Sequence, residues 1–231
     1  MIQLSEFERP VFFTGAGLSA ESGIPTYRGE GGIWHEYNYE EYACQRAFDL
    51  DPERVWDFHD LRREKVAAAE PSGAHRLIAR VQQERPQTRV VTQNIDGLHQ
   101  RAGATEVIEL HGSLWRLRCA ATDTIVENFE VPLANRKCSG DCYWRPDIVW
   151  FEDPMNRERL WDAERALRHC DVLISIGTSG VVYPAAELPR IATERGIPSV
   201  EINPEETAVS HLYQEHMRGG AFEMLSKLVD W

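Results

Sequence analysis

Four short stretches carry residue types able to do chemistry. In VFFTGAGLSAESGIP, residues 11–25, Gly15, Gly17 and Ala20 form a G-x-G-x-x-[G/A] arrangement directly after a strand-like run. The first glycine permits a tight turn, the second lets backbone N–H groups approach a pyrophosphate, and a helix start behind them adds partial positive charge. Gln93, Asn94, Ile95 and Asp96 stand at the end of the strand-like TRVVTQ and just past it, where two amides and a carboxylate can hold hydroxyls and a carboxamide. His111 sits between VIEL and Gly112, and a neutral imidazole is the side chain best matched to proton transfer near pH 7. Cys119, Cys138 and Cys142 fall within 24 residues of one another. Taken singly, the first three also have plain structural explanations: a strand-to-helix turn, an Asx-turn, and a histidine closing a strand.

The cysteines form an incomplete set. Structural zinc takes four ligands, usually as two close pairs, whereas here Cys119 stands alone before a C-x3-C pair, and the AATD that follows it holds no cysteine. Either zinc binds through three thiolates and an outside ligand, or the segment holds together without metal. Five cysteines, an odd number spread over 231 residues, argue against a disulfide framework.

The elements that must position these groups are readable from periodicity. Strand-like runs recur at 10–15, 88–93, 107–112, 171–177 and 197–203, and helical spacing of apolar residues occupies 73–85 and 156–170. Strands without clean alternation, separated by helices, predict a parallel sheet covered by helices on both faces, an α/β class with dinucleotide-fold character. Two segments break the rhythm, 27–71 (aromatic, Gly-rich and charged) and 113–147 (the cysteines). They predict a smaller lobe inserted into a larger one made of about 1–26, 72–112 and 148–231, the whole forming one catalytic domain. After the glycine loop, Pro25 stops a long helix and Gly29, Gly31 and Gly32 make a flexible loop. The expectation is a nucleotide covered by a mobile segment.

A formal charge of −12 without a long Lys/Arg run argues against nucleic-acid binding. Neither a signal peptide nor a run approaching ~18 apolar residues is visible, so the expectation is a cytoplasmic monomer with no membrane contact.

GAGLSAESGIPTYRG, TQNIDGLHQRAG, ELHGSL, RPDIVWFED, IGTSGVVYPAA and EINPE, in that order, resemble the motif series of the sirtuins, NAD-consuming protein-lysine deacylases. The resemblance covers nearly the whole chain. It implies NAD as co-substrate, held by Gly15, Ala16, Gly17, Ser19, Ala20, Ile24, Pro25, Tyr27, Arg28 and Trp34 in the first segment, and by Gln93, Asn94, Ile95 and Asp96 around the nicotinamide. Gly177, Thr178, Ser179, Asn203, Pro204, Glu205 and Ala221 would border the ribose, phosphates and adenine. His111 would be the general base: nicotinamide leaves, the acyl oxygen attacks the ribose C1′, and a ribose hydroxyl deprotonated by His111 attacks the resulting imidate, giving O-acyl-ADP-ribose. The same scaffold leaves open an NAD glycohydrolase or ADP-ribosyltransferase, and a non-catalytic NAD sensor. Val149, Trp150 and Phe151 resemble a loop that pairs with the substrate backbone, with Glu152 where a glycine is usual.

One further stretch is odd. In VWDFHDLRREKV, residues 55–66, helical spacing puts Val55, Phe58 and Val66 on an inward stripe that also contains His59 and Arg62, and puts Asp57, Asp60 and Glu64 opposite. The branch of sirtuins that removes succinyl and malonyl groups carries a Tyr-x-x-Arg pair reading the acyl carboxylate. Here the resemblance places His59 and Arg62 at those positions, with Ala43 opening the acyl pocket. The guanidinium fork suits a carboxylate; a neutral His59 could donate one hydrogen bond, and a charged one would strengthen binding at lower pH. The alternative is a salt-bridged or snorkelling Arg62.

Overall fold

The computed structural model describes residues 2–27 and 31–230, the side chain of His35 excepted. Its strands are β1 (Pro10–Thr14), β2 (Arg89–Thr92), β3 (Val107–Glu109), β4 (Gly112–Cys119), β5 (Ile125–Glu127), β6 (Lys137–Ser139), β7 (Cys142–Ile148), β8 (Val172–Ile176), β9 (Ser199–Ile202) and β10 (Glu215–Met217). Its α-helices are α1 (Ala16–Ala20), α2 (Ile33–Glu36), α3 (Tyr39–Tyr42), α4 (Gln45–Leu50), α5 (Pro52–Ala68), α6 (Gly73–Glu84), α7 (Leu98–Arg101), α8 (Arg157–His169), α9 (Arg190–Thr193) and α10 (Ala221–Ser226).

Six strands form a parallel sheet in the order β10-β9-β8-β1-β2-β3. β1 and β8 are entirely buried because each face meets its own apolar layer. Phe12, Val90, Ile174 and Val200 pack with Ile78 and Val81 of α6 and Leu225 of α10; Val11, Phe13, Val91 and Leu173 pack with Ala163 and Leu167 of α8. Burying each larger side chain is worth roughly 1.5–3 kcal/mol before entropy is counted. This is the predicted α/β layer. The short edge strand β10 was not anticipated from the sequence; its three residues carry one buried side chain, Met217.

The order reverses at β1: the chain runs outward to β2 and β3 on one side, then returns to β8, β9 and β10 on the other. Open parallel sheets bind ligands beyond the carboxyl ends of strands at such a point.

The cysteine segment forms a second sheet, antiparallel, in the order β5-β4-β7-β6. It shares a third apolar cluster with α4 and α5, including Phe48, Trp56, Leu114, Leu117 and Trp150. α5 is started by Asp51, whose side chain accepts from Arg54 N at 3.0 Å, and by Pro52 at its first turn.

Its buried arc is wider than the predicted stripe and is turned from it. Asp60, expected outside, is buried; it accepts from Leu133 N at 3.1 Å and pairs with Arg136 at 2.8 Å. The fully buried cation is Arg63, which donates to the carbonyls of Leu114, Asn128 and Glu130 at 2.8–3.0 Å. Arg62 is half-buried. α5 is packed by the antiparallel sheet on one flank and by α3 and α4 on the other, so polar side chains enter the interior wherever backbone carbonyls are there to receive them.

Candidate active site

Two glycine loops meet at the switch point. Gly17 N–H donates to Gly177 O at 3.0 Å, and Gly15 N–H to Ile176 O at 3.0 Å. A Cβ on Gly15 would lie 2.7 Å from Gly177 O, and one on Gly17 2.7 Å from Gly177 Cα. The loops after β1 and β8 therefore close against each other only without side chains. α1 is five residues long, so the predicted helix contribution is small; Gly177 N–H is engaged as well, with Ile202 O at 3.0 Å, so these glycines supply close approach of the two loops and their own N–H groups are not free for a phosphate. Thr178 is buried, with its hydroxyl 3.3 Å from that of Ser175; Ser179, Pro204 and Glu205 are exposed along the same rim. Asn203 Nδ2 donates to Thr178 O at 2.8 Å, tying the ends of β8 and β9 together. Ala221 starts α10, whose Phe222 N–H is received by the Glu21 carboxylate at 3.1 Å.

Beyond β2, Asn94 Nδ2 donates to Gly15 O at 3.0 Å and to Ser19 Oγ at 3.1 Å, while Ser19 Oγ–H donates to Asp96 Oδ2 at 2.7 Å. Asp96 Oδ1 accepts from Leu98 N at 2.9 Å. Burial pushes the Asp96 carboxyl above its ordinary range, with these hydrogen bonds and the Arg62 charge opposing the shift. Ala16, Ser19, Ile24, Pro25, Tyr27, Arg62, Asn94, Ile95 and Asp96 line one small cavity. Of the predicted residues, Ala16, Ser19, Ile24, Pro25 and Tyr27 thus meet Asn94, Ile95 and Asp96, while Gly15, Gly17, Trp34 and Gln93 are outside this lining. Ala20 is exposed and does not line the cavity. Arg28 lies outside the described residues.

His111 stands at the end of β3 with its Nδ1 2.9 Å from the carbonyl oxygen of Gln93. A carbonyl only accepts, so Nδ1 carries the proton and Nε2 holds a free lone pair. Burial lowers the His111 pKa, partly opposed by the Gln93 carbonyl, so the ring is neutral at pH 7. Gly112 follows at φ +79°, where a Cβ would lie 2.0 Å from Asp147 O. Gly112 is thus a steric requirement of pressing β4 against β7.

Val149, Trp150 and Phe151 are anchored between the two sheets. Val149 N–H donates to His111 O (2.9 Å), Trp150 N–H to Asp153 Oδ2 (3.2 Å), and Phe151 N–H to Ala43 O (3.0 Å). A strand added by a partner peptide would therefore meet carbonyls here, the three N–H groups being engaged. Ala43 is buried, and Trp34 and Tyr39 pack on Phe151 with ring centroids 5.7 and 4.4 Å away. Glu152 adopts φ +75°, a left-handed conformation that favours glycine.

The structure separates the predicted pair on α5. Arg62 reaches the cavity, donating to the Tyr27 hydroxyl with its guanidinium over the Tyr27 ring at 5.1 Å. His59 is fully buried and does not line the cavity; its Nε2 accepts from Trp150 Nε1–H at 3.3 Å. Burial, then the charges of Arg62 and Arg145, hold its pKa well below the ordinary range. The expectation that His59 meets an acyl carboxylate, or gains charge at lower pH, is corrected: its hydrogen-bonding edge is spent on Trp150.

The three cysteines do come together. The Sγ atoms of Cys119, Cys138 and Cys142 lie within 4.8 Å of one another, at the facing ends of two hairpins. Tetrahedral zinc thiolates, with bonds near 2.3 Å, need sulfurs about 3.8 Å apart, so the donor set fits the ion. The contact with Cys138 pulls the Cys119 thiol down to about 6, while burial and that same contact push the Cys138 thiol up to about 12, so the two sulfurs share their protons unevenly.

Other polar groups escaped the sequence reading. Thr14 Oγ1 lies 2.9 Å from Thr92 Oγ1 and 3.0 Å from Nε2 of the buried His99, and Asn94 N–H rests on Thr92 Oγ1 at 3.1 Å. Buried Glu201 receives Thr207, Ser210 and Arg218 at 2.6–2.7 Å, fixing the loop that begins at Asn203. His99 and Glu201 stand inside the quoted motifs TQNIDGLHQRAG and EINPE, so the signal was present. What was missing was any indication that they face beneath the site.

Residues 15–184 match the Sir2 family. The chain is 42% identical over 226 residues to a protein of Aquifex aeolicus named NAD-dependent protein deacylase, covering 96% of this chain and 94% of that one. It is 47% identical over 226 residues to NAD-dependent protein deacylase 2 of Pyrobaculum aerophilum, covering 95% and 89%. Among solved structures it is similar to a mutant Sir2 homologue in complex with ADP-ribose (TM-score 0.93, 41% identity, 98% of this chain and 92% of that one). It is also similar to a Sir2 homologue–NAD complex (TM-score 0.90, 41% identity, 98% and 90%). With the paired glycine loops, the Asn94–Ser19–Asp96 network and the oriented His111 in place, the chain belongs to the Sir2 family, the sirtuins.

Proposed function

We propose that this chain is an NAD-dependent protein-lysine deacylase. The observation that carries the reading is His111: a neutral imidazole, its Nδ1–H fixed on Gln93 O, with a free Nε2. The names of the relatives in Aquifex and Pyrobaculum support it. NAD is the co-substrate. The side-chain-free approach of Gly15, Gly17 and Gly177 leaves room for its pyrophosphate, Asn203 to Glu205 and Ala221 border its adenosine half, and Asn94, Ile95 and Asp96 form the nicotinamide pocket.

In this reading nicotinamide departs as the acyl oxygen of the modified lysine bonds to the ribose C1′. His111 Nε2 then takes the proton from the ribose hydroxyl that becomes the acyl acceptor. Attack of that hydroxyl on the imidate carbon expels the lysine amine, and one water adds to the carbon it leaves, so that the products are free lysine, nicotinamide and O-acyl-ADP-ribose. A base so placed contributes about 10²–10⁴-fold.

Arg62 extends the acyl range. Among the described residues no carboxylate lies within ion-pair distance of it, and its guanidinium lines the cavity beside Tyr27. The enzyme accepts succinyl and malonyl groups as well as acetyl, through Arg62 without His59.

The test is mass spectrometry of reactions containing NAD and acetyl-, malonyl- and succinyl-lysine peptides. The proposal expects O-acyl-ADP-ribose and nicotinamide in equal amounts, dependent on the peptide. Nicotinamide released without an acylated peptide would instead assign a glycohydrolase.

A further inference from the structure

The cysteine cluster differs from a closed structural zinc site in a way that has chemical consequences. Zinc sites with four protein ligands are inert scaffolds, whereas sites with three keep a position for an exchangeable ligand. Here three sulfurs gather, and among the described residues no histidine, aspartate or glutamate joins the group. The other two cysteines are unsuited: Cys44 is buried with its Sγ–H donating to Glu40 O, and Cys170 is buried with its thiol donating to Leu167 O.

The fourth corner has a resident. β4 ends at Cys119, and the turn to β5 is closed by Cys119 N–H to Thr124 O and Asp123 N–H to Cys119 O, both 2.9 Å. This brings the Thr122 side chain and the N–H groups of Ala121 and Thr122 to the Cys119 sulfur. Facing it, Cys138 and Cys142 flank a hairpin turned by Gly140 at φ +54°. Cys119-x-x-Thr122 therefore has the layout of a two-ligand zinc turn, with a hydroxyl where the second thiolate would sit. A threonine hydroxyl is a neutral oxygen outside the usual zinc ligands, and this one already donates to Thr124 Oγ1 at 2.9 Å. The corner is also reachable: residues 120–123 and 139–141 are exposed, and Cys138 and Cys142 are half-buried.

We propose that Cys119, Cys138 and Cys142 form an open three-thiolate zinc site whose fourth position, beside Thr122, takes an exchangeable external donor, water at rest and a small-molecule thiolate when one is supplied. On zinc binding the three thiols lose their protons to solvent. Entry of an external thiol exchanges the water for a thiolate and releases one further proton, with no change of oxidation state.

The test uses the full chain loaded with zinc or cobalt(II), and 2-mercaptoethanol as the external thiol. X-ray absorption of the zinc form is expected to show three sulfurs and one oxygen or nitrogen. The visible bands of the cobalt form should shift saturably as 2-mercaptoethanol is added. Thr122→Cys, a substitution in an exposed turn, should give a four-sulfur spectrum that ignores the thiol, and should slow zinc loss to a chromogenic chelator by about 10-fold or more. A four-sulfur, thiol-insensitive wild type would overturn the proposal. So would a metal content unchanged by Cys138→Ser. These readouts are independent of deacylation, so they stand or fall apart from the proposed function.

Discussion

The surroundings of His111 and His59 repay comparison. Both imidazoles are held neutral by burial, and both belong to stretches that the sequence marked as functional. At His111 a backbone carbonyl accepts the Nδ1–H bond, and Nε2 has no partner among the described residues; at His59 a tryptophan N–H occupies Nε2 inside the core. Desolvation alone therefore does not make a base. What distinguishes the two is which nitrogen is satisfied from within and whether the residue keeps some exposure: His111 is half-buried, His59 fully buried.

The largest effect should come from His111. His111→Ala is expected to lower kcat/KM for an acyl peptide by about 10²–10⁴-fold, with the protein still folded and destabilised by about 0.5–1.5 kcal/mol for the hydrogen bond lost to Gln93 O. Next comes Arg62, the member of the α5 pair that does reach the cavity. Arg62→Met should shift the succinyl-to-acetyl ratio of kcat/KM toward acetyl by about 10-fold or more, the worth of a charge-assisted hydrogen bond; an unchanged ratio would remove Arg62 from acyl recognition.

His59 should behave in the opposite sense to His111. His59→Phe keeps a ring against Trp150 but leaves its Nε1–H unpaired, which costs about 1–3 kcal/mol in denaturant titrations while kcat/KM stays near wild type. The same contrast sets a pH dependence. A histidine whose folded pKa is depressed binds its proton more readily in the unfolded chain, so stability falls as pH drops below about 6.5. His59, His99 and His75, the last lowered to about 4, all act in this direction. Melting temperature should decline between pH 7 and pH 5, and His59→Phe should flatten part of that decline. The smallest effect is at Glu152: Glu152→Gly relieves φ +75° and should stabilise by up to about 1 kcal/mol, the strain relief outweighing the glycine entropy cost.

The parallel layer was legible because both its strands and its helices carry their own periodicity, and the strand ends carry the motifs. Gly15, Gly17, Asn94, Asp96 and His111 were found this way, each at a carboxyl end of β1, β2 or β3. The antiparallel sheet was not: β5 and β6 are short and largely exposed, and the longer β4 and β7 pair with a register shift between Ser113 and Leu117 and without sustained alternation of burial. α5 misled for a different reason. A single-stripe helix was assumed, while two neighbours bury Asp60 and Arg63 through carbonyl and guanidinium partners far away in the chain. The buried partnerships of Glu201 and His99 are likewise long-range, and spacing along the chain holds no record of them.

The central claim is that His111 presents a bare Nε2 at neutral pH. Nitrogen-15 NMR of the imidazoles at pH 7, assigned by the signal lost in His111→Ala, tests it most directly. The account predicts a neutral ring with Nδ1 protonated and Nε2 unprotonated, persisting below pH 6.5. A proton on Nε2, or a charged ring at pH 7, would contradict it.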